Sequence, residues 1–498
     1  MKKKILATIL TGALAATMLA GCGNNGGAAA EPAAAPAAEE AAAPAAEEPS
    51  AEEPAAEEPA EEPAQEETAA PAEGGGSGTI NLWTFTDEVP GMIDRYLEDH
   101  PDFPYTVNST IIATTDGAYQ PALDQALIAG GDEQPDFYCA EAAFVLKYTQ
   151  GDMEEYAMPY KDLGIDVDKE IADSQIAKYA VEIGTNTSGE VDGLGYQATG
   201  GTFIYRRSIA KDVFGTDDPA EISKIIGGGS GSWDKFWEAA AKLADKGCAI
   251  VSGDGDIWHA VENSSDKGWL DENGNLQIDP KREAFLDMSK DLTDKGWSNQ
   301  TQDWQDAWFA DMKGEGDKPV FGFFGPAWLI NYTLAPNCGG EAVGEGTYGD
   351  WACCDSPIGF FWGGTWLIAN KNMDPAKKDA VKDLIYWITL DSSDTGLQYM
   401  WANGTLNGEG GTKDSVASGT VMSKSDGTLD FLGGENMFDY FVPANQYANG
   451  KNLTQYDESI NQIWRDQVRA YAAGEKDRDA AINDFKQTVS DNLGISAN

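Results

Sequence analysis

The sequence predicts an α/β protein of two lobes, preceded by a signal and a long tether. Three observations carry this. Strand-like and helix-like segments alternate from residue 80 onward, the composition breaks abruptly at Thr79, and the 420 residues from there to the end are more than one hydrophobic core usually serves.

Lys2, Lys3 and Lys4 precede an apolar run over residues 5–20 that closes in Leu19-Ala20-Gly21-Cys22. A basic start, a short apolar stretch and small residues before a cut mark a secretory signal, here residues 1–21. The run is too short and too rich in alanine to span a bilayer. Cysteine directly after Leu-Ala-Gly makes it resemble a bacterial lipoprotein signal, which implies lipidation of Cys22. Residues 22–78 repeat Glu-Glu-Pro-Ala and end in Gly74-Gly75-Gly76-Ser77-Gly78. With no aromatic residue and Thr68 as its one β-branched residue, the stretch cannot offset its chain entropy, and it reads as a disordered tether extended by like charge and proline.

Charge narrows the partners. The chain carries a net charge of -49, and from Thr79 onward 69 acids stand against 31 bases. Such a surface repels nucleic acid and anionic headgroups, so no nucleic-acid partner is expected. Beyond Cys22 there are Cys139, Cys248, Cys338, Cys353 and Cys354, an odd number at irregular spacing and so no disulfide framework. Both a bridge from Cys338 to Cys353 or Cys354 and a set of free buried thiols stay open. With no CxxC pair and only two His, no metal site and no cofactor is expected.

In order, Ile80-Asn81-Leu82-Trp83-Thr84-Phe85 alternates as a first strand, and residues 89–99 read as a helix opened by Pro90 and stopped near Pro101. Residues 105–113 are rich in strand formers. Residues 116–129 have helical spacing and stop at Gly130-Gly131, and residues 136–140 form a short apolar strand followed by a helix through Tyr148. Alternation of this kind argues for a mainly parallel sheet, whose ligands lie beyond the strands' carboxyl ends. That places residues 83–88 and 140–142 at the mouth. A second unit starts near Gly195. It has a helix from Ser232 at the N-cap position, an exposed loop over 252–259 with carboxylates beside Trp258, and a hairpin turn at 271–275. The acids of that turn do not complete a calcium loop, because its twelfth position is Arg282. Residues 282–296 and 304–312 read as amphipathic helices, and the buried strand 320–328 breaks at Gly325-Pro326 and delivers Trp328.

In this order the pieces resemble the extracellular solute-binding proteins of ABC importers, in the sugar-binding, maltose-binding-protein-like group. The resemblance covers residues 80–498. It is carried by the lipoprotein cysteine, the Pro135-Asp136 strand entry, and Thr202-Phe203-Ile204-Tyr205-Arg206-Arg207 before a helix. Two further motifs add to it: Phe324-Gly325-Pro326-Ala327-Trp328, with one residue inserted, and Phe361-Trp362-Gly363-Gly364-Thr365-Trp366 before a helix at 374–390. It implies a periplasmic-binding-protein-like type II fold, two α/β lobes with a hinge around a central cleft. Lobe I would hold 79–194 plus 358–405, and lobe II 195–357 plus 406–498. It also implies a monomeric, non-enzymatic protein that captures a carbohydrate, an oligosaccharide, and passes it to ABC permease subunits. Its place would be the outer face of a Gram-positive cell membrane. The Gly-rich stretch 407–434 departs from the family pattern.

A sugar offers flat C–H faces to indoles and a rim of hydroxyls to carboxylates and amides. Trp83, Trp258, Trp328 and Trp362 sit at strand ends or glycine-punctuated loops and are the candidate faces; the resemblance assigns Trp328 the aromatic that stacks on ligand after the Gly-Pro turn. For the hydroxyls the candidates are Asp87, Glu88, Glu141, Gln197, Asp256 and Thr365, and the resemblance supports Glu141. Trp233, Trp237, Trp304, Trp308, Trp387 and Trp464 lie at core-like spacing in expected helices and read as structure. Two other classes stay open. One is a polyamine or other small-solute binder of the same fold. The other is a surface glycan-active enzyme or adhesin, although no Gly-x-Ser-x-Gly motif and no metal-binding His pair occur.

Overall fold

The first strand, β1 (Thr79–Thr84), buries Ile80, Leu82 and Thr84 and lies between β2 (Thr106–Ile111) and β3 (Phe137–Glu141), parallel to both. Helices α1 (Glu88–Asp99) and α2 (Tyr119–Ala129) make the crossovers that parallel pairing demands. Helix α1 buries Val89, Met92, Ile93 and Tyr96, and α2 buries Tyr119, Leu123 and Leu127, as 3.6-residue periodicity requires. The computed structural model describes residues 78–497 apart from 115, 116 and 409; the expected signal, the tether and Cys22 lie outside them.

After β3 the parallel run stops. The short strands β4 (Ala157–Met158) and β5 (Gly193–Gly195) follow, and then β6 (Thr202–Arg206), β7 (Gly322–Gly325) and β8 (Trp351–Cys354) build a separate antiparallel sheet in the order β7-β6-β8. The chain then comes back as β9 (Thr365–Asn370) into the first sheet, whose order is β2-β1-β3-β9-β4, with β5 also paired to β9. Thr365 pairs with Glu141, so β9 enters where β3 leaves and has to run antiparallel to it. The expected mainly parallel sheet is therefore mixed.

Alternation along β6 feeds two cores. Ile204 joins the core of the first sheet, while Phe203 and Tyr205 join a second core with Phe321, Phe324 and Cys354. The second core is completed by α3 (Gly255–Asn263), α4 (Phe285–Asp294) and, beyond α5 (Asp306–Lys313) and α6 (Lys378–Thr389), by the last helices α7 (Asp457–Ala472) and α8 (Arg478–Leu493). Trp308 of α5 and Leu384 and Ile388 of α6 belong to the first core.

Three local expectations are corrected. Residues 252–259 are no exposed loop. They lead into α3, which buries Ile257, Trp258, Ala260 and Val261, the i, i+1, i+3, i+4 stripe of a core-facing helix. The helix expected from Trp304 starts at Asp306, and Trp304 lies outside it with φ 68°. Ser232 is not the N-cap, since the helix spans Asp234–Ala244, but its hydroxyl does accept a bond from the Asp234 amide at 3.2 Å. The turn at 271–275 forms as expected between the paired residues Leu270 and Leu276.

All five described cysteines are free and buried, and the Cys338 thiol donates to the carbonyl of Ala335. The stretch 407–434 has a packing role. Ala417 donates its amide to the Tyr196 carbonyl at 2.8 Å and the Ser415 hydroxyl reaches the Ala198 carbonyl at 2.8 Å, so this segment straps the crossing between the sheets. No helix among the described residues is long and apolar enough to cross a membrane.

Candidate functional site

The carboxyl ends of β1 and β3, the start of β9 and the exit of β5 meet at one end of the first sheet. This topology gathers Glu88, Glu141, Tyr196, Gln197 and Thr365. Beyond it, β7 of the second sheet ends in Gly325-Pro326 and releases Trp328. The two sides touch at Gly363, where an added Cβ would lie 3.4 Å from Trp328 Nε1 and 3.7 Å from Glu141 Oε1. Gly363 and Gly364 have φ 74° and 114°, a left-handed pair that few other residues adopt, and they turn the chain between Trp362 and Thr365.

Aromatic rings form one part of the site. Trp328 and Trp362 meet edge to face at 4.9 Å, and Trp328 Nε1 donates to the Trp362 carbonyl at 3.0 Å. Trp304 stands parallel to Trp328, 11° between planes and 6.1 Å between centroids, and edge-on to Trp362 at 5.9 Å. Trp362 is also stacked with His259 of α3, 4.6 Å between ring centroids. Burial, helped by the Arg465 charge, pushes the His259 imidazole down to about 3 against the opposing charge of Asp303, so the ring is neutral. Trp304 is 49% exposed, the most open indole of the group. It was expected to be structural, and this is the largest correction to the site; the backbone turn that expels it from α5 has no signature in residue spacing.

The other part is polar. Tyr196, stacked on Trp401 at 5.1 Å, donates its hydroxyl to Glu88 at 2.5 Å. Gln197 donates to Asp414 at 3.0 Å, and the other Asp414 oxygen takes the Ser415 amide at 2.7 Å. Burial raises Glu88, the Tyr196 bond opposing it and the Asp87 charge adding to it. Glu141, whose carboxylate accepts the Ala143 amide at 2.8 Å, is lifted to about 7 by burial against its backbone donors, with Glu458 contributing. Tyr332, half exposed, stands beside Asp414 and Glu88. Asp414, Tyr196, Tyr332 and His259 were missed by sequence reasoning. Asp414 lies in the Gly-rich stretch that matched no pattern, and His259, three residues from Asp256, had only its helical spacing to place it.

The remaining candidates fall elsewhere. Asp256 is 5% exposed and accepts the amides of Ser252 and Gly253 and the Trp308 indole N–H at 2.8, 3.0 and 2.9 Å. Its carboxylate closes the start of α3 and is buried from solvent. Trp258 is 1% exposed and packs on Phe285 at 4.9 Å, a core residue rather than a platform. Trp83 is partly buried against the first core, and Asp87 is exposed at the start of α1. Thr365 is nearly buried in the ladder opposite Glu141. Among the described residues no cluster of His, Cys, Asp and Glu could hold a metal ion.

Asp414 makes the site sensitive to pH. Burial lifts its carboxyl from 3.8 to about 7, the Ser415 and Gln197 bonds opposing and the Glu88 charge adding. Its proton is thus held more tightly in the folded than in the unfolded chain. The resulting stabilisation is complete below the unfolded value and is lost as the pH rises through about 7. Melting temperature is expected to fall from pH 5 to pH 8, and to fall less in Asp414→Asn; equal slopes in thermal scans would contradict this assignment.

The profile described as bacterial extracellular solute-binding protein matches residues 91–428. No curated protein sequence matches the chain. Among solved structures, an extracellular solute-binding protein family 1 member is 17% identical with TM-score 0.66, covering 82% of this chain and 98% of that one. The galacto-N-biose/lacto-N-biose I-binding protein of an ABC transporter from Bifidobacterium longum, in complex with lacto-N-biose, is 16% identical with TM-score 0.62, covering 85% and 100%. The sugar-binding protein MalE from Xanthomonas citri is 15% identical with TM-score 0.61, covering 84% and 98%. At such identities the likeness is one of fold.

Proposed function

The chain belongs to the bacterial extracellular solute-binding proteins, and from that premise we propose that it captures a carbohydrate, an oligosaccharide, for an ABC importer. One observation supports this above the rest: Trp304, Trp328 and Trp362 form one indole cluster, and Trp328 and the Glu141 carboxyl approach the same point at Gly363. Apolar faces next to a few placed polar groups match the amphipathic surface of a sugar ring. The two α/β lobes close over the solute by hinge motion, a population shift set by the ligand's preference for the closed form. The closed form then delivers its cargo to the permease. The similar protein from Bifidobacterium longum, whose complex holds lacto-N-biose, fits this reading. The protein works as a monomer and without catalysis.

A lipid on Cys22 and the tether 22–78 hold the protein at the outer face of a Gram-positive membrane. Cys22→Ser is expected to move the protein from the membrane fraction into the medium; unchanged fractionation would contradict the anchor. A cationic polyamine is the second reading, since Glu88 and Asp414 stand beside Tyr332 and Tyr196. Uptake of labelled oligosaccharides and of labelled spermidine, in cells with and without the protein, separates the two. Loss of sugar uptake alone supports the proposal, and loss of spermidine uptake alone overturns it.

A further inference from the structure

Trp304 is carried by the loop between α4 and α5, and this loop is built unlike an ordinary connection. Gln300 and Trp304 both have positive φ, 58° and 68°, which costs side-chain-bearing residues energy unless the surroundings impose it. The loop lies tightly on the start of α3. An added Cβ at Gly253 would stand 2.1 Å from the Thr301 carbonyl oxygen, so only glycine permits the approach. Beside it is a half-open pocket of about 150 Å³ lined by Ser298, Gln300, Thr301 and Gln302 of the loop together with Asp254 and Arg469. On that side the loop faces a pocket open to solvent, and Gln300, Gln302 and Trp304 are exposed.

Asp303, the residue before Trp304, supplies what packing does not. Its Oδ1 accepts Arg465 Nη2 at 2.5 Å and lies 3.7 Å from Arg469, both arginines projecting from α7. Both members of the Asp303–Arg465 pair are 14% exposed, so the contact is weakly screened by water. Burial alone would raise the Asp303 carboxyl; the charge and hydrogen bond of Arg465, with the charge of Arg469, hold it below the usual range instead.

We propose that Asp303 is a positioning residue: latched to Arg465 and Arg469, it holds the strained loop against α3 and so fixes Trp304 parallel to Trp328 as a face of the site. This rests on the carbohydrate reading for the purpose of that face, but not for the latch itself. With the latch open, the loop is free to relax its two left-handed residues, and Trp304 leaves Trp328 for solvent.

The test uses the whole protein without any sugar. In Asp303→Asn, amide exchange over residues 299–305 is expected to quicken about tenfold, as loss of a charged hydrogen bond implies. Quenching of tryptophan fluorescence by acrylamide is expected to rise, and the rise is expected to vanish when the same substitution is made in Trp304→Phe. Asp303→Glu, which keeps the charge, is expected to retain wild-type quenching. Unchanged exchange and quenching in Asp303→Asn would overturn the proposal. So would an equal rise in the Trp304→Phe background, which would report general loosening, or the same loss in Asp303→Glu. Should Asp303→Asn fail to fold, Gly255→Ala serves, because its Cβ would lie 2.5 Å from Asp303 Oδ1 and 2.7 Å from Arg465 Nη2 and part the pair. A wild-type latch with no saccharide bound in titration would count against the carbohydrate reading alone.

Discussion

Trp328→Ala is expected to weaken saccharide binding by about 30- to 100-fold, the scale of losing an aromatic anchor in a binding site. The indole makes three contacts that alanine cannot: the edge-to-face contact with Trp362, the parallel arrangement with Trp304, and the bond from Nε1 to the Trp362 carbonyl. The first two shape the apolar wall. The third ties the residues after β7 to the segment entering β9, and its loss removes one link between the two sides of the site. Trp328→Phe restores a ring without the N–H and is expected to recover part of the affinity. Calorimetric titration reads both variants. An unchanged dissociation constant in Trp328→Ala would show that the solute lies elsewhere.

Asp256→Asn is expected to destabilise the fold by about 2–3 kcal/mol, with little change in solute affinity. The carboxylate of Asp256 faces three donors, two amides and the Trp308 indole. An asparagine turned to satisfy some of them brings its own N–H groups against another, leaving a buried donor without an acceptor. Chemical denaturation reads the loss. Wild-type stability together with lost binding would return Asp256 to the site, where its position in the sequence first put it.

Asp256 and Trp258 show why part of the site was misjudged. Gly253-Asp254-Gly255-Asp256 has the composition of a loop, and an aromatic after it suggests an exposed platform. The glycines serve another purpose: they let the loop of Thr301 and Asp303 approach the start of α3. That is a tertiary demand, invisible in local spacing. By contrast β1, β3 and the helices after them follow from alternation and 3.6-residue periodicity, which are local properties. Glu141, Trp328 and Trp362 were legible as candidates because Glu141 ends β3, Trp328 follows the Gly325-Pro326 break and Trp362 precedes the Gly363-Gly364 turn, positions that the fold class places at the mouth. Trp304 was not, because its exposure depends on a backbone turn imposed by an arginine pair more than 160 residues away. Asp414 was hidden for a related reason: its neighbours Gln197, in the loop past β5, and Glu88, at the start of α1, are far away in sequence, and a Gly-rich stretch carries no period.

Calorimetric titration of the protein with a panel of mono- and oligosaccharides plus spermidine, with product analysis of each mixture, tests the central claim most directly. The account predicts tight binding of an oligosaccharide, no cleavage of it, and loss of the signal in Trp328→Ala. Binding of spermidine alone, or turnover of a glycan, would contradict it.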